Sequence, residues 1–274
     1  MGLLSFLLGC NGKSPWQQKD GAWHYKDVQV AETDGKGFEA LDDHYARDAR
    51  YVYYGDSYRD GREYFLVRHD RVLVLEGADA TSFRILPGPG GERGYARDTT
   101  RAYFEGKVFP VKDLASLEIL DYSFARDKVT GYYMQVPVAG SDGSTFAAVD
   151  YEYARDRLKV FHCSLPTGEP NSRPVPRTVM LPGADPASFH ALEEGYAADR
   201  GQAYWDATVL SKEPTAFTVL RYSYARTPSE IFHRGVRVKG ADLATFAPLD
   251  SLTDSADARD AKGMFKEGKR RETR

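Results

Sequence analysis

The sequence predicts an all-β chain of tandem three-stranded antiparallel meanders with short helical turns, a curved array or a propeller-like ring, and three observations predict it. A Tyr-Ala-Arg-Asp tetrapeptide or a near variant recurs with its aromatic at Tyr45, Tyr95, Phe124, Tyr153, Tyr196 and Tyr224, the last followed by Thr227 in place of aspartate. A second motif, Gly-Ala-Asp-x-x-(Ser/Thr)-Phe or a degenerate form, places Phe38, Phe83, Leu117, Phe146, Phe189, Phe217 and Phe246. The two are phase-locked: the anchor at 38, 117, 146, 189 or 217 lies seven residues before the next aromatic, and Phe83 lies twelve before because a glycine-rich stretch intervenes. A pair of motifs at fixed spacing is one supersecondary unit repeated, of about 28–29 residues where it carries no insertion.

Each element follows from the residues. Beyond the anchor, apolar side chains fall at every second position, as in Leu120, Tyr122, Phe124 or Val149, Tyr151, Tyr153, and a period of two is a half-buried strand. The motif aspartate then starts a turn, since its carboxylate reaches the amides two residues on. The chain returns as a second strand through Val52-Tyr53-Tyr54, Ala102-Tyr103-Phe104, Tyr132-Tyr133, Val160-Phe161 or Ala203-Tyr204-Trp205. Glu105-Gly106 suits a tight hairpin into a third strand at Lys107-Val108-Phe109. Asp185-Pro186 is an aspartate cap with proline at the first helical position, so single helical turns are expected at 185–189 and, by the same pattern, at 242–246.

Three segments result: an apolar N-terminal segment and tether at 1–22, the repeat domain at 23–250, and a degenerate last repeat with a basic tail at 251–274. The apolar run that ends at Cys10 has the form of a lipoprotein signal with Cys10 as its lipidated residue, although no Lys or Arg precedes it. The expectation is an envelope or periplasmic protein tethered to the membrane through Cys10, with a cytoplasmic protein as the alternative. Trp23 to Val28 reads as strands two and three of an incomplete first repeat. Two repeats carry insertions, one at 55–71 with Tyr58, Arg59, Arg62 and Tyr64, the other at 165–177 with Glu169, Arg173 and Arg177. The final basic run, 262–274, is expected to be a disordered solubilising tail.

The chemical inventory excludes more than it includes. A net charge of −3 from 37 basic and 40 acidic residues leaves no electrostatic footprint for nucleic acid. Of 18 tyrosines, eight fall in strand one and six in strand two, so packing accounts for them before any stacking platform does. Six histidines show no metal-ligand spacing, no nucleophile elbow is present, and the residues after each motif aspartate do not form a calcium loop. Cys10 and Cys163 make neither a disulfide framework nor a zinc site. No catalytic residue, metal or cofactor is therefore expected; a histidine gathered with two carboxylates in a pocket would be the sign of an enzyme. The motif arginines are expected to lay their stems along rings at the sheet edge.

Tyr-Ala-Arg-Asp-x-x-x-x-(Val/Ala)-Tyr-(Tyr/Phe), then Gly-x-x-Val and the anchor motif, resembles the DKNYY repeat of bacterial proteins. Its Asp-Lys-Asn-x-Tyr-Tyr core corresponds to Asp48 through Tyr53-Tyr54 and to Asp127-Lys128 through Tyr132-Tyr133, although Lys-Asn after the aspartate is mostly missing here. The resemblance implies a bacterial protein, often with an envelope or lipoprotein signal and without established enzymatic activity. Proteins of this β-rich kind include immunity proteins that sit beside secreted toxins. The function expected is thus a non-enzymatic protein-binding repeat protein, an immunity protein against a secreted antibacterial effector, with a structural or glycan-sensing envelope protein as the alternative. Because the repeats account for the tyrosines and aspartates, an acidic protein partner is expected to touch the insertions, at Tyr58, Arg59, Arg62, Tyr64, Glu169, Arg173 and Arg177.

Overall fold

The computed structural model describes residues 14–59, 67–89, 94–166, 175–251, 253 and 255–271. The fold is all-β, 42% strand and 4% helical, in repeated small antiparallel sheets of three or four strands, none closed into a barrel. The chain divides into two compact units, Met1–Tyr122 and Ser123–Arg274. In the first, β1 (Trp16–Lys19), β2 (Ala22–Tyr25) and β3 (Val28–Gln29) make a three-stranded sheet. Next come β4 (Glu39–Ala40), β5 (Tyr45–Arg47), β6 (Val52–Arg59) and β7 (Arg68–Val74), paired in that order. A third sheet is built on Tyr95–Arg97, and the second unit repeats the plan on Phe124–Arg126, Tyr153–Arg155, Tyr196–Ala198, Tyr224–Arg226 and Ala258–Asp260.

A complete repeat has four strands where three were expected, because the run read as strand one is two strands. Around Tyr153, Ala147–Ala148 pairs antiparallel with Tyr153–Arg155, and the amides of Val149 and Asp150 bond back to the Tyr153 carbonyl at 2.8 and 3.2 Å. The Asp150 carboxylate closes this turn by accepting the amides of Glu152 and Tyr153 at 2.9 and 2.7 Å. Tyr151 therefore stands at the turn with 68% of its surface exposed instead of sharing a face with the buried Tyr153. Alternation along a sequence does not distinguish one strand from two joined across a tight turn, since both keep the period.

The core lies between consecutive repeats. Tyr153, Val160, Leu181 and Phe189 pack with Ala197 and Tyr204 of the following repeat, and the Phe189 ring sits 5.2 Å from Tyr153 and 5.6 Å from Tyr204. Phe83 sits likewise 5.4 Å from both Tyr45 and Tyr103, and Phe246 lies 5.2 Å from Tyr224 and 5.3 Å from Phe265. Phe83, Phe189 and Phe246 thus plug seams where one sheet meets the next, and burying a ring of this size contributes about 1.5–3 kcal/mol. The helical turns that deliver the anchors are single, as expected: the Phe189 amide bonds the Asp185 carbonyl at 3.0 Å and the Phe246 amide bonds the Asp242 carbonyl at 2.9 Å. Phe217 is shallower than its motif implies. It is half-buried, in a cluster whose fully buried members are only Tyr196, Ala225 and Phe232.

Both ends depart from expectation. Inside the stretch read as a tether, Trp16 is 3% exposed and packs 4.8 Å from Tyr25, so β1 supplies the strand that the first repeat lacked. Residues 262–271 are folded: Gly263–Lys266 and Lys269–Arg270 complete a four-stranded sheet with Ala247–Pro248 and Ala258–Asp260. Phe265 is fully buried there, and the Arg270 guanidinium holds the Asp260 carboxylate at 2.7 and 3.0 Å while lying over the Phe265 ring. A sheet one side of which carries the lysines and the other a buried ring looks, in sequence, like a charge run. Cys10 lies outside the described residues, among which no helix is long and apolar enough to cross a membrane.

Candidate functional site

The motif residues are committed to the scaffold. One carboxylate oxygen of Asp98 accepts the amides of Thr100 and Arg101 at 2.6 and 2.7 Å, while the other accepts the Tyr103 hydroxyl at 2.9 Å and the Asp79 amide at 3.2 Å. Asp199 does the same with Gly201, Gln202, Tyr204 and Asp185. The turn-forming role expected of these aspartates is present, and the second oxygen ties the turn to the anchor motif. Burial is the largest single influence on Asp48, Asp98 and Asp199 and pushes their pKa values up, yet the hydrogen bonds together hold each carboxyl below the ordinary range. Motif tyrosines reach into the next repeat: the Tyr45 hydroxyl donates to the Gly94 carbonyl and accepts the Gly106 amide, and that of Tyr196 donates to the Ser223 carbonyl. The motif arginines bind backbone carbonyls. Arg47 donates to the carbonyls of Ala80 and Phe83, Arg97 to Leu114 and Arg126 to Phe146, each capping the anchor turn of the following repeat. A guanidinium has several fixed donors to offer the carbonyls left unpaired at a turn.

What the scaffold does not use is the distal part of the hairpin formed by β6 and β7. Seven cross-strand pairs run from Tyr53↔Val74 to Arg59↔Arg68, so this hairpin outreaches the two- to three-residue pairings typical of the other repeats. Its base is fastened to the first sheet: the Lys26 ammonium donates to Ser57 at 2.5 Å and Asp70 at 2.9 Å, and Tyr25 lies where a side chain on Gly55 would be. One face then presents Asp56 opposite Arg71, joined by a two-pronged ion pair at 2.6 and 2.8 Å, and Tyr58 opposite His69, with Arg71 lying 5.0 Å over the Tyr58 ring. At the outer end Arg59 stands directly opposite Arg68, and both are exposed. Among the described residues neither guanidinium has an ion-pair partner.

Of the residues singled out in the sequence, Tyr58 and Arg59 share this arm. Arg177 opens the strand Arg177–Met180 in the second compact unit, paired with Ser164. Arg62, Tyr64, Glu169 and Arg173 lie outside the described residues. Arg68 and Arg71 belong to the same insertion in the sequence, and strand register sets them and His69 opposite Arg59, Asp56 and Tyr58.

Two further places in the second unit gather charge. An open groove of about 580 Å³ is lined by His233, Arg234, Arg237, Lys239, Lys269 and Arg270, with Glu267 as its acidic member. Elsewhere the buried His162 puts its imidazole 3.5 Å from the Asp206 carboxylate, and with Glu152 these groups place potential ligand atoms within 4.8 Å of one another. Burial lowers the pKa of His162 against the opposing pull of Asp206 and Asp150; burial, then Asp206 and Asp150, raise that of Glu152. A histidine with two carboxylates is thus present, assembled from two repeats at positions whose sequence separations match no ligand motif, and it lies outside the groove lined by His233.

Residues 55–136 match the model of the DKNYY family, which bears out the resemblance carried by the repeat and covers the arm itself. No curated protein and no solved structure matches the chain.

Proposed function

We propose that this chain, with its DKNYY-family segment at 55–136, is a non-enzymatic protein-binding repeat protein in which the repeats are scaffold and the β6–β7 arm is the binding element. The observation that carries this reading is the Arg59↔Arg68 pair. Like charges directly opposite in an antiparallel ladder repel, and a partner's carboxylate seated between the two exposed guanidinium groups would turn that repulsion into a pair of charge-assisted hydrogen bonds. On the other face of the same hairpin, Tyr58 is 43% exposed and lies under the Arg71 guanidinium, and tyrosine and arginine are the residue types that recur at interface hot spots. The partner is a folded protein with an acidic patch. In its narrower form the reading is an immunity protein that neutralises a secreted antibacterial effector at the cell envelope. A glycan platform is less well supported, because the tyrosines exposed among the described residues, Tyr58, Tyr122 and Tyr151, stand singly while the motif rings are internal. The test is capture from a bacterial lysate by wild-type chain and by the Arg59→Glu/Arg68→Glu variant in parallel. A partner retained by the first and lost by the second, with equal melting temperatures, supports the reading; a partner retained equally by both overturns it.

A further inference from the structure

We propose that Glu152, His162 and Asp206 form a binding site for a divalent transition-metal ion of the zinc class. The repeats supply their own comparison. His162 occupies the third position of its strand Val160–Ser164, where the equivalent residue is Tyr54 in one repeat and Trp205 in another. Those rings, and the imidazole of His233, lie where a side chain on the next hairpin's glycine, Gly106, Gly235 or Gly268, would be, whereas the hairpin that faces His162 has Ala207 at that place. The hairpin facing His162 carries Asp206, and Glu152 precedes the motif tyrosine, a position filled by His44, Gly94 and Ser223 elsewhere.

A second repeat also has a histidine, His233, with carboxylates nearby, and there the charges are spoken for. Asp257 accepts the Tyr224 hydroxyl at 2.7 Å and the Glu267 amide at 2.6 Å, and Arg234 follows the histidine directly. At His162 the motif tyrosine, Tyr153, donates instead to the Asp206 backbone carbonyl at 3.0 Å, which leaves the Asp206 carboxylate for the imidazole. The half-buried Glu152 carboxylate accepts no hydrogen bond and meets no cation among the described residues, although a second carboxylate lies within 4.8 Å. Two carboxylates this close repel unless a cation lies between them.

One imidazole nitrogen and two carboxylate oxygens are three protein ligands, which leaves a fourth, tetrahedral position open to water. The imidazole selects a zinc-class ion over magnesium or calcium, which prefer oxygen alone. Ligand bonds of about 2.0–2.2 Å require the three groups to draw closer than they stand, and the Asp206 side chain, 53% exposed on a hairpin, is free to swing inward.

The experiment is calorimetric titration of zinc chloride into the full, tag-free chain at neutral pH, with magnesium chloride in parallel, on wild type, Asp206→Asn, Glu152→Gln and His233→Asn. Asn is nearly isosteric with Asp206 and tolerates its left-handed backbone, φ 50°, so that variant folds. Expected are one zinc per wild-type chain, an affinity reduced at least about tenfold in Asp206→Asn and Glu152→Gln, no change in His233→Asn, and no comparable magnesium uptake. Absence of saturable zinc uptake, retention of wild-type affinity by either isosteric variant, or loss of it in His233→Asn overturns the proposal.

Discussion

Each motif aspartate divides its two oxygens between a turn and a tie. The turn half was legible in the sequence, because an aspartate followed by unrelated residues has only backbone amides to serve. The tie was not, because its acceptors and donors lie far along the chain: the amide that reaches Asp98 is that of Asp79, and the carbonyls that Arg47 caps are those of Ala80 and Phe83. The hydroxyl part of the tie varies between repeats: Asp48, Asp98 and Asp199 receive the hydroxyls of Tyr53, Tyr103 and Tyr204, whereas Asp156 and Thr227 stand five residues before Phe161 and Phe232, and the second oxygen of Asp156 accepts the Asp142 amide. Asp98→Asn should therefore destabilise the chain by about 1–3 kcal/mol in urea melts, because the amide nitrogen that replaces the second oxygen faces the Asp79 N–H. Depressed carboxyl values also fix a sign with pH. The stability that Asp48, Asp98 and Asp199 contribute is present above their unfolded value of about 3.9 and is lost as pH falls through the lower folded values. The urea midpoint should fall below about pH 5, and less steeply in Asp98→Asn; an equal slope in both would remove these aspartates from the account.

At the level of elements, spacing gave three strands to a repeat, merged the first two of four into one, and missed β1. The alternation from Val149 to Tyr153 continued through a turn, and the basic run after Asp260 concealed the burial of Phe265. Phe265→Ala should cost about 3–5 kcal/mol, as for other core aromatics, whereas a solubilising tail would lose nothing measurable. The seams between sheets are close-packed. A methyl group added at Gly131 would run into the Phe146 ring, which is fully buried, so Gly131→Ala should cost about 1–3 kcal/mol by overpacking despite its higher strand compatibility. Thermal melts of both variants check these values; a neutral Gly131→Ala would mean that the seam yields. The arm was visible in the sequence as an insertion rich in arginine and tyrosine. Its like-charged tip was not, because only the register of β6 against β7 brings Arg59 to Arg68.

Across the whole molecule, side chains that would ordinarily serve a binding face, tyrosine and arginine above all, are turned inward to join one repeat to the next. Tyr45, Tyr95, Tyr153, Tyr196 and Tyr224 are all at or below 1% exposure, and Arg47, Arg97 and Arg126 end on carbonyls. Recognition then falls to what the repeat does not consume. The histidine cluster escaped the sequence reading for the same reason as the ties, since it draws residues from two repeats. Whether the arm binds while the repeats only support it is decided by calorimetric titration of the captured partner onto wild type, Arg59→Glu/Arg68→Glu, and Tyr151→Ser as a repeat-surface control. Expected are an affinity lower by at least about tenfold in the arm variant, unchanged affinity in Tyr151→Ser, and one melting temperature for all three. Undiminished affinity in the arm variant would contradict this and place the binding surface on the repeats.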